Sequence, residues 1–284
     1  MRYLHYVNYL ESTTLEQSTA WTETLTSFRL TPRVVSKPSR MPPTTPRRGD
    51  SKTFNVESRV LRRGFNSSCN KPVALVTGGT GFVGRHVCEK LTRLGCNMTV
   101  ITRRAVQAAA IQSMPKVRVL EGDVYNAAFL SQCMHGHDVV INLIAILHGT
   151  EAAFEKAHVQ LPQIIAQACQ QSGVKRLIHI SALGASAQGP SLYQRSKAEG
   201  EAVLQQAGLD LTLLQPSAIF GREDKFLNVF AQLQKLTPVV PLAGANTRFQ
   251  PVWVEDVAAA VVHCVTHHNT IGQTYEICGP DILR

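Results

Sequence analysis

Residues 73–84, Val-Ala-Leu-Val-Thr-Gly-Gly-Thr-Gly-Phe-Val-Gly, constrain the fold of this chain more than any other stretch. Four apolar residues, Val73 to Val76, run into glycines at 78, 81 and 84, and an amphipathic segment continues from Phe82 to Leu94. This order predicts a short buried strand, a tight turn and a helix start. Such a unit binds a dinucleotide pyrophosphate on the unpaired N–H groups and positive end of the helix. The glycines have separate expected jobs. Gly78 permits the sharp turn, Gly81 lets the backbone approach the pyrophosphate, and Gly84 lets the helix pack close to the strand.

Beyond the turn, strand and helix patterns alternate. Asn97–Thr102, Lys116–Asp123, Asp138–Ile146, Arg176–Ser181 and Leu211–Gln215 read as strands, and Gln273–Cys278 as a further one. Between them Ala105–Ser113, Ala127–Met134, Ala152–Gln171 and Ser191–Gln206 read as helices. This rhythm implies βαβ units, hence a doubly wound parallel sheet with helices on both faces. Ligands of such sheets bind beyond the carboxyl ends of the strands. At 284 residues, 44% of them hydrophobic, the chain has enough apolar material for such a domain. Its longest apolar run, Val139–Leu147, is broken by Asn142 and falls well short of the roughly 18 residues of a membrane span.

The net charge of +9 is concentrated at the amino terminus. Residues 1–70 hold eleven lysines and arginines against five acidic residues, and 71–284 hold eighteen against fifteen. The globular part is only mildly basic, so its charge makes no case for nucleic-acid binding. Residues 1–70 have no sustained period and are rich in Ser, Thr, Pro and Arg, as in Met41-Pro-Pro-Thr-Thr-Pro-Arg-Arg48. Such composition buries too little apolar surface to offset the entropy of ordering. It reads as a disordered extension, with a targeting presequence as the alternative; Glu11, Glu16 and Glu23 count against the latter. Seven scattered cysteines without a CxxC pair suggest reduced thiols. The pairs His135/His137 and His267/His268 lack a completing Cys or carboxylate, so no metal is expected.

The strand ends carry the chemistry. Thr102-Arg103-Arg104 closes the second strand of the domain, where an acid would bind a ribose 2′-hydroxyl and an Arg a 2′-phosphate. Two guanidiniums suit a phosphate by charge and by bidentate geometry, so NADP(H) is expected ahead of NAD(H). Arg85 offers a further phosphate contact. Asp123 is either an acceptor for an adenine amino group or an ordinary turn residue. Tyr193 and Lys197 lie four apart on a helix, on one face. A nearby ammonium would favour tyrosinate and lower the Tyr pKa towards the range of acid/base catalysis.

The glycine turn, the strand-end Ser181 and the Tyr193/Lys197 pair resemble the short-chain dehydrogenase/reductase superfamily, of the extended or atypical kind. Longer segments narrow this. Ile146-Leu-His-Gly149, His179–Ala185, Arg195–Glu201, Pro216–Asn228 and Phe249–Val257 resemble the branch of the nucleotide-binding accessory subunit of respiratory complex I and its bacterial, epimerase/dehydratase-like relatives. The resemblance covers about residues 72–280. It implies a Rossmann-like α/β sheet from 71 to 284 after the 1–70 extension, with cofactor contacts at Gly78, Thr80, Gly81, Phe82, Val83, Gly84, Arg103, Arg104, Asp123, Val124, Leu143, Pro216 and Ser217. It implies a catalytic set of Tyr193, Lys197 and Ser181, with Tyr193 and Lys197 flanking the nicotinamide ribose. It also implies complex I or quinone-linked partners. The expected place is peripheral to the bacterial inner membrane, or alternatively the mitochondrial matrix side.

The chain departs from that pattern at two points. Active members end the fifth strand in Ser-Ser or Ser-Thr, whereas this chain has Ser181-Ala182, followed by Leu183 where dehydratases carry an acid. Losing one positioned hydroxyl costs about 10²-fold or more in rate. The resemblance therefore implies a bound cofactor in an accessory role, with an active NADPH-dependent reductase or epimerase of a small carbonyl or sugar-like substrate as the alternative. Relatives also continue beyond Gly279-Pro280 with a helical region. A small C-terminal substrate lobe is expected here, either truncated or confined to the insert at 223–248, with the Lys225/Phe226/Phe230 helix face in its core.

Overall fold

The computed structural model describes residues 33–37, 71–224 and 248–282. Most of the 223–248 insert, with Lys225, Phe226 and Phe230, lies outside the described residues, as do the rest of 1–70. The chain runs β1 (Arg33–Lys37), β2 (Val73–Thr77), α1 (Phe82–Arg93), β3 (Asn97–Thr102), α2 (Ala109–Gln112), β4 (Val117–Glu121), α3 (Ala127–Met134) and β5 (Val139–Asn142). Then follow α4 (Glu151–Glu155), a π turn (Lys156–Gln160), α5 (Leu161–Ser172), β6 (Arg176–Ile180), α6 (Leu192–Gln206), β7 (Asp210–Pro216), β8 (Ile219–Phe220), β9 (Val252–Trp253), α7 (Val254–Thr266) and β10 (Thr274–Cys278).

Seven strands form a parallel sheet in the order β10-β7-β6-β5-β2-β3-β4. The winding reverses on either side of β2, so the switch point lies between β2 and β5. This is the Rossmann-like architecture expected from the sequence. Alternation along each strand divides the core. Ala74, Val76, Met98, Val100, Val139 and Ile141 face α1 and α7, while Leu75, Ile101 and Val140 face α3, α5 and α6. A strand buried on both faces reads as a continuous apolar run, which is why β2 stood out.

Local chemistry sets the helix limits. In α1 the buried positions Gly84, Val87, Cys88 and Leu91 recur at helical spacing, with Lys90 and Arg93 in the last turn. Ser191 and Gln194 form a reciprocal capping box that starts α6. Gly173, at φ +79°, ends α5.

Several sequence expectations change. The strand read over 138–146 stops at Asn142, because its Oδ1 accepts from Ile144 N (3.2 Å) and turns the chain out of the sheet. The helix read over 105–113 is a 3₁₀ turn followed by one α turn, cut short ahead of Pro115. Helix α7 was not read from the sequence, although Val254, Val257, Ala258, Val261, Val262 and Val265 follow helical spacing and are buried. Most unexpectedly, Arg33–Lys37 of the aperiodic amino-terminal segment pairs antiparallel with β10. An edge strand presents a row of unpaired N–H and C=O groups, and a short β-branched stretch satisfies them through backbone bonds without a periodic pattern of its own.

Candidate functional site

The glycine turn sits at the switch point. Gly78 adopts φ +78°, and a side chain there would meet Ile144 N and Leu143 C at 3.1 Å. The turn thus lies directly on the exit of β5, which puts Leu143 against it. At Gly84 a Cβ would stand 2.2 Å from Gly78 O and 2.6 Å from the Gly79 Cα. Strand and helix therefore meet backbone to backbone, the expected role of this third glycine. Gly81 is the N-cap of α1 with φ −78°, so its backbone demands no glycine. The nearest atom to a Cβ there is Gly78 O at 3.2 Å. What Gly81 contributes is bare backbone on the open side. No side chain caps α1 and its first turn holds no acid, so nothing in it competes with a phosphate for the N–H groups. A dinucleotide pyrophosphate fits this cradle.

At the adenosine end, Arg103 and Arg104 are exposed beyond β3, and neither forms an ion pair among the described residues. They suit a phosphate. Val124 is buried, while Asp123 is exposed and its Oδ1 accepts from Tyr125 N (3.0 Å). Asp123 thus performs at least the turn role considered for it. Arg85, offered as a phosphate contact, pairs with Glu223 instead (Nη2–Oε2, 2.6 Å), while its Nε is buried without a partner. On the far side of the crevice, Pro216 ends β7. The Ser217 hydroxyl donates to Gln250 O, tying β7 to the segment before β9.

The Tyr193/Lys197 face of α6 packs over the ends of β6 and the π turn. Lys197 is buried and donates from Nζ to Ile180 O (2.9 Å). Burial pushes its ammonium down to about 8, against a smaller opposing pull from Glu201. Glu201 itself accepts from Gln215 Nε2 (2.8 Å). Tyr193 packs edge-on against His158 (5.5 Å between ring centroids) and Phe154 (6.2 Å). Burial raises its phenol pKa, opposite to the lowering expected from the lysine alone. The Lys197 ammonium, turned towards a strand-end carbonyl, does not offset that rise. Ser181 is buried, and its Oγ has no hydrogen-bond partner. Ala182 beside it is buried as well.

Sequence reasoning missed a polar chain beneath this site. Thr77 Oγ1 donates to Asn142 Oδ1 (2.8 Å), and Asn142 Nδ2 donates to His179 Nδ1 (3.0 Å). The chain joins the ends of β2, β5 and β6 across the switch point. Burial first, then Lys197 and His158, hold His179 well below its ordinary pKa and neutral. His158 accepts from Ile146 N at Nε2 (3.2 Å), so its proton is on Nδ1, facing Ser196 Oγ (2.8 Å). Burial, helped by Lys197, lowers its pKa to about 4. The only sequence signal for the chain was Asn142 interrupting an apolar run.

Among the described residues neither His135/His137 nor His267/His268 falls in a group with ligand-like geometry. Among the described residues the group with ligand-like geometry is His86, Glu89 and Glu255, joining α1 to α7. There Lys90 Nζ lies 2.6 Å from Glu255 Oε2, and hydrogen bonds from His86 and Lys90 hold the Glu255 carboxyl at about 2. An ammonium already supplies the positive charge.

A switch-point glycine cradle at a bare helix N-terminus defines a dinucleotide-binding Rossmann domain. The NAD(P)H-binding family matches residues 78–268, and the chain belongs to that family. It is 36% identical over 226 residues to the mouse "NADH dehydrogenase [ubiquinone] 1 alpha subcomplex subunit 9, mitochondrial", covering 77% of this chain and 60% of that protein. It is 29% identical to "Ceramide reductase" of Caulobacter vibrioides, covering 67% of this chain and 60% of that protein. The chain thus spans about 60% of the length of these curated relatives. Among solved structures, the dTDP-glucose 4,6-dehydratase DesIV of Streptomyces venezuelae superposes with a TM-score of 0.66 at 22% identity, over 74% of this chain and 76% of that one. This last likeness concerns the fold. The resemblance read from the motifs therefore holds: the chain is a nicotinamide-dinucleotide-binding protein with complex I subunits among its homologues, and its fold is like that of an epimerase/dehydratase-type structure.

Proposed function

We propose that the chain binds NADP(H) and serves an accessory role, associated with respiratory complex I or a quinone-linked partner, rather than rapid turnover. The observation that carries the reading is Ala182, buried at the strand end beside an otherwise complete cradle. The position that would orient a substrate carbonyl holds no hydroxyl. Lys197, engaged with Ile180 O, and Tyr193, its pKa raised by burial, support it further. When bound, the cofactor would supply hydride chemistry. The chain's residues would hold it: Gly78, Gly81 and Gly84 with Thr80, Phe82 and Val83 at the pyrophosphate, and Arg103 and Arg104 at the 2′-phosphate. Asp123, Val124 and Leu143 would line the adenosine side, with Pro216 and Ser217 near the nicotinamide. Residues 71–284 form the dinucleotide domain in this reading, 1–70 its extension, and 223–248 the substrate-side segment. The mitochondrial relatives support a mitochondrial place, and the Caulobacter relative keeps the bacterial one as the alternative. Among the described residues no helix is long and apolar enough to cross a membrane, in keeping with peripheral attachment.

A second reading, an active NADPH-dependent reductase, draws support from the buried, unpartnered Ser181 Oγ and from the similarity to a reductase. In it Tyr193 gives or takes the proton, Lys197 binds ribose and Ser181 replaces the missing hydroxyl. Purification with assay for retained NADPH, then NADPH oxidation with quinones and carbonyls, separates the two. Tight NADPH without turnover, together with co-migration with a respiratory complex, is expected. Robust turnover abolished by Tyr193→Phe would sink the accessory reading. An Arg103→Ala/Arg104→Ala variant should lose its preference for NADPH over NADH.

A further inference from the structure

Two side chains at the adenosine end belong to neither the glycine turn nor the strand-end arginines. Tyr125 follows Asp123 and Val124 beyond β4. Lys156 opens the π turn that follows β5, on the other side of β2 in the sheet order. The helices after these strands, α3 and α5, share one face and one apolar cluster, which brings the two residues together. Lys156 Nζ lies 4.7 Å from the centroid of the Tyr125 ring. A cation over a ring face at this distance is attracted by the ring's electron density, which favours one placement of an exposed lysine. The π turn matters because its wider winding shifts the residues that follow α4 from the places a continuous helix would give them.

Burial raises the Tyr125 phenol pKa, while the positive charge of Arg103 pulls it back and Asp123 adds to the rise, so Arg103 is within electrostatic reach of this ring. Side chains from beyond β3, β4 and β5 thus converge on one spot. Two acids of this end are tied to the backbone: Glu121 Oε2 accepts from Ala105 N (2.8 Å) and Asp123 Oδ1 from Tyr125 N (3.0 Å). Arg103 and Lys156 bring two cations to this spot against the one carboxylate of Asp123.

We infer that Lys156, seated on the Tyr125 ring, is a third cation of the subsite for an adenosine 2′-phosphate and sets part of the preference for NADPH over NADH. This rests on the NADP(H) reading above. A phosphate monoester carries close to two negative charges at neutral pH, and an ammonium within a Debye length attracts it without direct contact. NADH lacks that group and feels little of Lys156.

Dissociation constants of the purified chain for NADPH and NADH, read by nicotinamide fluorescence at low and high salt, test the inference. Lys156→Gln should weaken NADPH about three- to tenfold and NADH by less than about twofold, with the difference shrinking at high salt. Lys156→Arg keeps the charge and Tyr125→Phe keeps the ring; both should retain the preference, while Tyr125→Ala should lose it in part. Melting temperatures should stay level, since Lys156 is exposed. Equal weakening of both cofactors, or of neither, overturns the role of Lys156. Where Arg103→Ala/Arg104→Ala abolishes the preference and Lys156→Gln leaves it intact, this inference falls alone. A wild-type chain without any preference for NADPH brings down both.

Discussion

Replacing Gly84 by alanine tests whether the third glycine is there for the fold or for the ligand. A Cβ at this position stands 2.2 Å from Gly78 O and 2.6 Å from Gly79 Cα and C, all backbone atoms of the turn itself. Reaching the 3.0 Å that real Cβ contacts respect requires α1 to withdraw from the turn by about 0.8 Å. Alanine in place of glycine gains about 1 kcal/mol of helix propensity. Overpacking against an unyielding neighbour costs about 1–3 kcal/mol, and here the neighbour is backbone, so the upper end applies. A net loss of about 2 kcal/mol follows, or about 4–8 °C in melting temperature for a domain of this size. The withdrawal also carries the helix N-terminus away from the turn, so NADPH affinity should fall with stability. Gly81→Ala is the contrast. Its Cβ has 3.2 Å to Gly78 O and φ is −78°, so the fold should lose less than about 1 kcal/mol. The new methyl nevertheless stands on the open side of the cradle, and NADPH should weaken about tenfold or more. Paired thermal melts and cofactor titrations read both variants. Wild-type melting and affinity in Gly84→Ala, or early melting in Gly81→Ala, would refute the division of labour.

Three further outcomes are expected. His158 is held at about 4 in the fold against 6.5 when unfolded, so the unfolded chain takes up its proton first as pH falls. From His158 alone, stability should drop as pH falls from 6.5 towards 4 by about 3 kcal/mol, about 2 kcal/mol of it between pH 7 and 5. His179 and His263, also depressed by burial, act in the same direction, so His158→Gln should reduce that dependence without abolishing it in urea titrations at the two pH values, and an unchanged slope would exclude His158 as a source. Asn142→Leu leaves Thr77, Ile144 N and His179 without their buried partner. It should cost about 2–4 kcal/mol by chemical denaturation, and a loss below 1 kcal/mol counts against a fully dry chain. Arg176→Met removes a buried guanidinium that bonds Asp210 O, Cys264 O and Thr270 Oγ1 at 2.7–2.9 Å. The C-terminus of α7, the turn at His268–Thr270 and the start of β7 should then exchange amide hydrogens faster than the rest of the sheet, where uniform exchange would show that Arg176 does not anchor them.

The amino-acid sequence by itself determined the architecture, because strands buried on both faces must be continuous apolar runs and the turn between strand and helix must be glycine. α1 ends within a residue of its expectation, and β3 and α3 match theirs. Helix α7 was equally legible in its apolar spacing and went unread. The sequence also marked Ala182 as a missing hydroxyl and the two arginines as a cationic strand end. Tertiary structure alone decided which neighbours each polar group meets. Lys197 lies four residues from Tyr193, yet its ammonium turns to Ile180 O and burial raises the phenol instead. Asn142 halts its strand because Ile144 N, Thr77 and His179 converge on its amide. Arg33–Lys37 joins the sheet because β10 leaves an edge to fill. Apart from the local turn at Ile144, these contacts span tens to hundreds of residues along the chain. Periodicity reports only which face a residue turns inward, and the fold alone chooses what waits there.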